Sequence, residues 1–252
     1  MKTFVILKIP FDKCIVDKTR RGASEAPDVI QKQTELNNVC WIDVEVSDDF
    51  EETQDNVTKT ALKEYEKGNV VVGVGGDHSV SYGLMKAFSQ KFKNAGLIVF
   101  DAHMDCESDM SPPDHEDILR AIVKEKMFKQ IYLAGVRNYT KEQQQFAIKN
   151  LNWDAAEVSI DAVKRHMIEE VLSDVDNVYI SIDIDVFDPE FAPGTGYTEE
   201  KGLMPKYVLP VLKMLVDSGK VRGFDICEVC PQKDVDGKTI KLAKEILTNM
   251  IM

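Results

Sequence analysis

Asp101, His103 and Asp105 occupy alternate positions in VFDAHMD, directly after the apolar run GLIVF. Carboxylate, imidazole, carboxylate is a donor set for a divalent cation, and on an extended segment side chains two apart share a side. Three further apolar runs stop in similar residues. VVVGVGG stops at Asp77 and His78, NVYISI at Asp183 and Asp185 with Asp188 close behind, and VRGFDI leads to Glu228. If these runs are parallel strands, the four clusters share one edge of a sheet. So many carboxylates in one place repel each other and raise their pKa values unless cations neutralise them. Two divalent cations held by His78, Asp101, His103, Asp105, Asp183 and Asp185 would do so. Oxygen-rich ligation with two imidazoles suits Mn²⁺, Co²⁺ or Fe²⁺ and does not resemble a thiolate-rich structural zinc site. Paired metals about 3.5–4 Å apart can share a water, lower its pKa and aim it as hydroxide. A lone aspartate after a strand is more often a cap or turn residue, which is the reading for Asp77 and Asp188.

The elements that must position these residues are legible as alternating patterns. Short β-branched runs recur as TFVILKI, VCWIDVEV, NVVVGVGG, GLIVFDA, QIYLAGV, NVYISIDID and VRGFDICEV. Between them lie amphipathic stretches of helical length, such as 51–68, 81–94, 116–129, 160–174 and 205–219, and residues 236–252 close the chain as a helix. Strands alternating with helices predict a three-layer α/β/α fold around a mainly parallel sheet. Sites in such folds gather at the carboxyl ends of the strands. With no linker, repeat or low-complexity tract in its 252 residues, the chain is expected to form one domain, 1–252.

Composition narrows the function classes. A net charge of −12 argues against a nucleic-acid surface, which needs clustered Lys and Arg. The longest apolar runs are too short to span a bilayer, and the N-terminus reads as a first strand rather than a signal peptide. Five cysteines, an odd number without regular spacing, predict a reducing, cytoplasmic location. CEVC (227–230) has redox or zinc spacing, but without a second pair it reads as two small residues at a strand end. Cys106 reads as packing and His166 as lying on a solvated helix face. YISIDIDVF is also similar to the opening motif of haloacid-dehalogenase-like phosphatases, though it stands late in this chain. A binding protein that has lost its metals is the non-catalytic alternative, and the six retained ligands argue against it.

Taken together, GGDHS (75–79), DAHMD (101–105) and SIDIDVFDPEFAPGTG (181–196) resemble the three signature blocks of the ureohydrolase family of arginases and agmatinases. DICEVCP (225–231) is similar to its later glutamate block, and RRGASEAPDVI (20–30), more weakly, to its early Gly-Pro segment. The resemblance implies an arginase-like fold, two Mn²⁺ per subunit, and hydrolysis of a guanidino group to urea and an amine. By position it implies that Asp101 and Asp183 bridge both metals, that His78 and Asp105 complete one site, and that His103 and Asp185 complete the other. Asp105 would also hold the metal-bridging hydroxide and pass a proton to the leaving amine. Glu228 would accept hydrogen bonds from the guanidinium, and His115 would be the proton shuttle near the pocket mouth. A homo-oligomer, trimeric or hexameric, is implied as well. FAPGTG is closer to agmatinases, so agmatine is the first expected substrate, with arginine or another guanidino or formimino acid second. The loop CESDMSPPD (106–114) is short for the family, and Glu116 stands where the family usually has Gly. Glu107, Asp109 and Asp114 in that region either meet a second cationic end of the substrate or form a solvated loop.

Overall fold

Each strand of this protein carries two cores, because alternate residues face opposite helical layers. The computed structural model describes residues 3–36, 39–109, 113–156 and 158–252, so Met110, Ser111 and Pro112 of the short loop lie outside it. The seven apolar runs form β1 (Phe4–Ile9), β2 (Val39–Asp43), β3 (Val70–Gly75), β4 (Ala95–Phe100), β5 (Gln130–Val136), β7 (Asn177–Asp183) and β8 (Val221–Cys227). An eighth strand, β6 (Asn152–Ala155), was not anticipated. It is four residues of NWDA on a sheet edge, too short and polar to show as an apolar run. All pairings are parallel, in the order β2-β1-β3-β8-β7-β4-β5-β6.

Val5, Leu7 and Ile9 of β1, Leu97 and Val99 of β4, and Leu133 of β5 pack with α2 (Phe50–Glu66), α3 (Val80–Lys91), α4 (Ile118–Lys124) and α5 (Lys141–Asn150). Ile6, Ile98, Phe100 and Ala134 face the other way, toward α1 (Ala26–Gln33), α6 (Ile160–His166), α7 (Pro205–Asp217) and α8 (Lys238–Ile251). Fully burying a Val, Leu or Ile side chain contributes about 1.5–3 kcal/mol, so the doubly faced strands anchor both layers. The expected three-layer α/β/α fold is the observed one.

Helix ends follow local chemistry. Asp49 caps α2 by accepting from the Glu52 N–H at 3.0 Å, with Glu51 and Glu52 favourably placed in the first turn. Thr140 and Gln143 close a capping box on α5. The helix expected over 116–129 shrinks to Ile118–Lys124. Its preceding Asp117 is turned toward Ser108, accepting from that N–H at 2.5 Å, and Lys126 takes a left-handed backbone, φ 52°. The helix expected over 160–174 relaxes after His166 into a π-turn, Met167–Leu172, whose Val171 lies over Gly96 of β4.

The four strands whose ends carry the polar clusters, β3, β8, β7 and β4, are neighbours at the centre of the sheet. Phe100 pairs with Ile182 and Asp183 with Cys227, so these chains leave the sheet at the same level. Among the described residues no helix is long and apolar enough to cross a membrane.

Candidate metal centre and substrate cavity

The chain turns sharply where the strands stop. Gly76 follows β3 so closely against Phe11 that a β-carbon there would lie 1.7 Å from the Phe11 carbonyl oxygen, which excludes every other residue. Its own carbonyl accepts from the Glu228 N–H at 2.8 Å. Asp77 stays with the turn, accepting from the N–H groups of Cys14 and Ser79, each at 3.1 Å. Asp188 does the same for Glu190 (3.0 Å) and Gly202 (3.1 Å). Both are turn residues, as their isolation in the sequence suggested.

Five of the six sequence-predicted ligands meet in two sets that share Asp101, and the sixth, Asp183, groups with His78 and Cys227. His78, Asp101 and Asp105 form the first, and Asp101, His103 and Asp185 the second. His78 Nδ1 lies 3.0 Å from Asp101 Oδ2, 2.7 Å from Asp105 Oδ2 and 3.5 Å from Asp183 Oδ2. His103 Nδ1 lies 2.9 Å from Asp185 Oδ2 and 3.5 Å from Asp101 Oδ1. Asp101, His103 and Asp105 therefore do not share one side. The strand ends at Phe100, and Asp105 takes a left-handed backbone, φ 39°, so His103 and Asp105 part toward different sets. The second oxygens are used up by the backbone: Asp101 Oδ1 accepts from the His103 N–H (2.7 Å), Asp183 Oδ1 from Asp185 (2.8 Å), and Asp185 Oδ1 from Ala102 (3.1 Å).

These donors suit divalent cations. His78 Nδ1 and Asp101 Oδ2 are buried, close, and without an aligned hydrogen-bond partner, so their lone pairs converge on common space. Four aspartates carry four negative charges, which two divalent cations would balance. Burial and the neighbouring charge of Asp101 push Asp105 up to about 7. Burial, then Asp185 and Asp101, raise Asp183 well above the usual carboxylate range. Burial also pushes Asp101 upward, but the neighbouring His103 and His78 hold it low. Behind the first set, His78 Nε2 lies 3.1 Å from Ser181 Oγ, which donates to the fully buried Asp225 at 2.8 Å. Tyr179 and Ser81 also donate to Asp225, at 2.7 and 2.9 Å. This buried chain fixes the imidazole ring. Cys227 is more than a small strand-end residue. Its thiol groups with His78 and Asp183, 4.0 Å from Asp183 Oδ2. Cys106 is buried packing, as expected.

Over this floor lies a cavity of about 410 Å³ lined by His78, His103, Asp105, Asp183, Asp185 and Glu228, and also by His115. Glu228 has a left-handed backbone, φ 60°. Its Oε1 accepts from the His78 N–H at 2.8 Å, while the buried Oε2 has no partner among the described residues. Burial and the charge of Asp77 raise its pKa well above the usual range. Such a carboxylate fits a cation better than solvent. His115 is buried in the wall, both ring nitrogens without a partner among the described residues, and burial lowers its pKa.

Several cavity residues carried no signal in the sequence. Glu199, from YTEEKGL, accepts from the Asn138 side chain (2.8 Å) and lies 3.5 Å from His103 Nε2. Tyr197 stands between His103 and His115, with the Arg20 guanidinium 4.2 Å above its ring. Arg137 donates to the carbonyls of Asp185 (2.6 Å), Val186 (3.2 Å), Glu199 (3.0 Å) and Glu200 (3.0 Å), stapling the loop that carries two cavity acids. Of the three loop acids weighed for a cationic end, only Glu107 lines the cavity, joined by Glu116. Asp109 instead pairs with Lys124 at 3.2 Å, and Asp114 accepts from the Glu116 N–H at 2.9 Å. His166 is only half solvated: its Nδ1 lies 2.7 Å from Asp154 at the β6 edge, where Tyr132 also meets that carboxylate.

A profile of the Arginase family matches residues 2–252. N(1)-aminopropylagmatine ureohydrolase of Thermococcus kodakarensis is 33% identical, with 96% of this chain and 87% of that protein aligned. The agmatine ureohydrolase structure from Thermoplasma volcanium is 27% identical and superposes with a TM-score of 0.85 over 99% of this chain and 89% of that one. Bacillus subtilis arginase, at 21% identity, superposes with a TM-score of 0.91 over 100% and 98%, a likeness of fold.

Proposed function

The chain belongs to the Arginase family, and from that premise we propose that it hydrolyses the guanidino group of a small cationic substrate, agmatine first, to urea and an amine. Membership makes it a hydrolase of linear amidine C–N bonds. The observation that carries the substrate reading is the half-satisfied Glu228 carboxylate, facing two three-ligand sets that share Asp101.

The proposed metals are two Mn²⁺; His78, Asp101 and Asp105 would hold one and Asp101, His103 and Asp185 the other, with Asp183 beside His78 to complete the donor set. When bound, such ions would supply Lewis acidity and lower the pKa of a coordinated water. The residues do the rest. A guanidinium is planar, cationic and delocalised, so its carbon is a poor electrophile. Glu228 Oε2 accepts from it and turns that carbon toward the floor, a charge-assisted contact made in a buried place. With the four aspartates balanced by metal, Glu228 is left to match the guanidinium charge. Asp105 takes the proton of the attacking water and gives it to the departing nitrogen, which cannot leave as an anion. His115, buried in the wall, relays protons toward the mouth. A homo-oligomer, trimeric or hexameric, is proposed as well, and five free cysteines suit a cytoplasmic location.

The direct test loads the protein with Mn²⁺ and measures urea from agmatine, arginine and 4-guanidinobutyrate, with formamide from N-formimino-glutamate as the control. Urea from agmatine at the highest kcat/KM is the expected result. No product from any of them, with metal bound, ends the reading. The Ser181 link gives a second expectation. Ser181→Ala removes the partner of His78 Nε2, and loss of such a support costs about 10–100-fold in metal affinity. Competition with a chelating dye measures it; an unchanged affinity would mean that packing alone holds the ring.

A further inference from the structure

The mouth of the cavity has an unbalanced charge that the metal centre does not explain. Glu107 and Glu116 both line it, one from each end of the short loop. The two ends are fastened together: the Glu107 N–H donates to the Glu116 carbonyl at 3.1 Å, and Arg120 donates to the Cys106 carbonyl at 2.9 and 2.7 Å. From these joined ends both carboxyls open on the same cavity. Among the described residues neither has a Lys or Arg within ion-pair distance, and His115 Nε2 is 3.8 Å from Glu116 Oε1. His115 itself is 8% exposed, has no partner at either nitrogen among the described residues, and lines the same space. A buried imidazole without a partner marks a place that a polar ligand completes.

We propose that Glu107 and Glu116 form the subsite for the far end of the substrate, an ammonium carried on an alkyl spacer, and so select cationic over carboxylate-tailed guanidines. This rests on the guanidine hydrolysis proposed above. Like charges side by side favour a cation between them, and a substrate carboxylate there would be repelled. The competing cavity residue is Arg20, which would suit a carboxylate tail. It is stacked on Tyr197 and lies 3.5 Å from Asp17, so part of its charge is already matched. Glu116 is therefore a specificity residue, and the position that departs from the family's usual Gly is the one that reads the tail.

The experiment compares agmatine with pentylguanidine, which keeps the guanidine and spacer and lacks the amine. In the Mn²⁺-loaded protein, the double substitution Glu107→Gln and Glu116→Gln should lower kcat/KM for agmatine about 10–100-fold, the scale of losing a hydrogen bond to a charged group. The loss should fall mainly on KM, with pentylguanidine changed by less than about twofold. Equal losses for both compounds, or none for agmatine, overturn the subsite. So does a wild type that prefers 4-guanidinobutyrate and loses that preference in Arg20→Gln. If neither guanidine is hydrolysed, the functional reading fails on its own. Calorimetric binding of the same two compounds to the metal-loaded wild type and double variant then decides the subsite by the same contrast.

Discussion

Asp105→Asn should lower kcat about 10²–10⁴-fold, the range set by loss of a positioned proton-transfer group. The substitution is chosen for the backbone as well as the chemistry. Asp105 sits at φ 39°, a region Asn tolerates almost as well as Asp and β-branched or bulky residues do not. Asn keeps the shape and one oxygen toward His78, at present 2.7 Å away, and loses the charge and the ability to take a proton. The melting temperature of the variant should therefore stay near the wild type's while turnover collapses. Metal content, measured on the same sample, separates proton transfer from metal holding. Near-normal kcat in a metal-replete variant removes the role proposed for Asp105.

Chelation should have the second large effect, on stability and with a defined pH dependence. An ion at a thousandfold its Kd stabilises the native state by about 4 kcal/mol. For a chain of this length that corresponds to about 8–16 °C in melting temperature. Without metal, burial and neighbouring charge raise Asp105 to about 7 and Asp183 and Glu228 well above the usual range. A carboxyl with a raised folded pKa costs nothing below its unfolded value near 4. It destabilises increasingly as pH rises to the folded value, which for Asp105 is about 7. Metal also competes with protons for these oxygens. The difference in melting temperature between loaded and chelated protein should thus be largest at pH 8 and shrink toward pH 5. A difference that grows toward pH 5 would show that the acids are not the metal's ligands.

Much of this was readable because the chemistry sits where apolar runs stop. A strand such as Ala95–Phe100 is buried on both faces, so the change to Asp101 is abrupt in the sequence. Parallel pairing then forces four such ends to one edge, and β3, β8, β7 and β4 duly lie side by side. Alternation was the weaker guide, since it assumed an extended chain past Phe100, and the turn at Asp105 sends that residue and His103 to different ligand sets. Glu199 and Tyr197 were missed for a different reason. They stand in loops with no periodic pattern, and only the strand order brings them together. His166 was misjudged because its partner, Asp154, lies on the edge strand that has no apolar signature.

Asp105 and Glu228 are both held in the left-handed region without being glycine. For residues with a β-carbon this conformation costs about 1–2 kcal/mol each. Random mutagenesis screened for heat resistance of the metal-free protein would be drawn to glycine at these two positions, and each such gain would remove the carboxyl group proposed to do the chemistry. Durability and turnover are thus in direct competition at two known residues, and a thermostabilised variant of this enzyme has to find its improvement elsewhere.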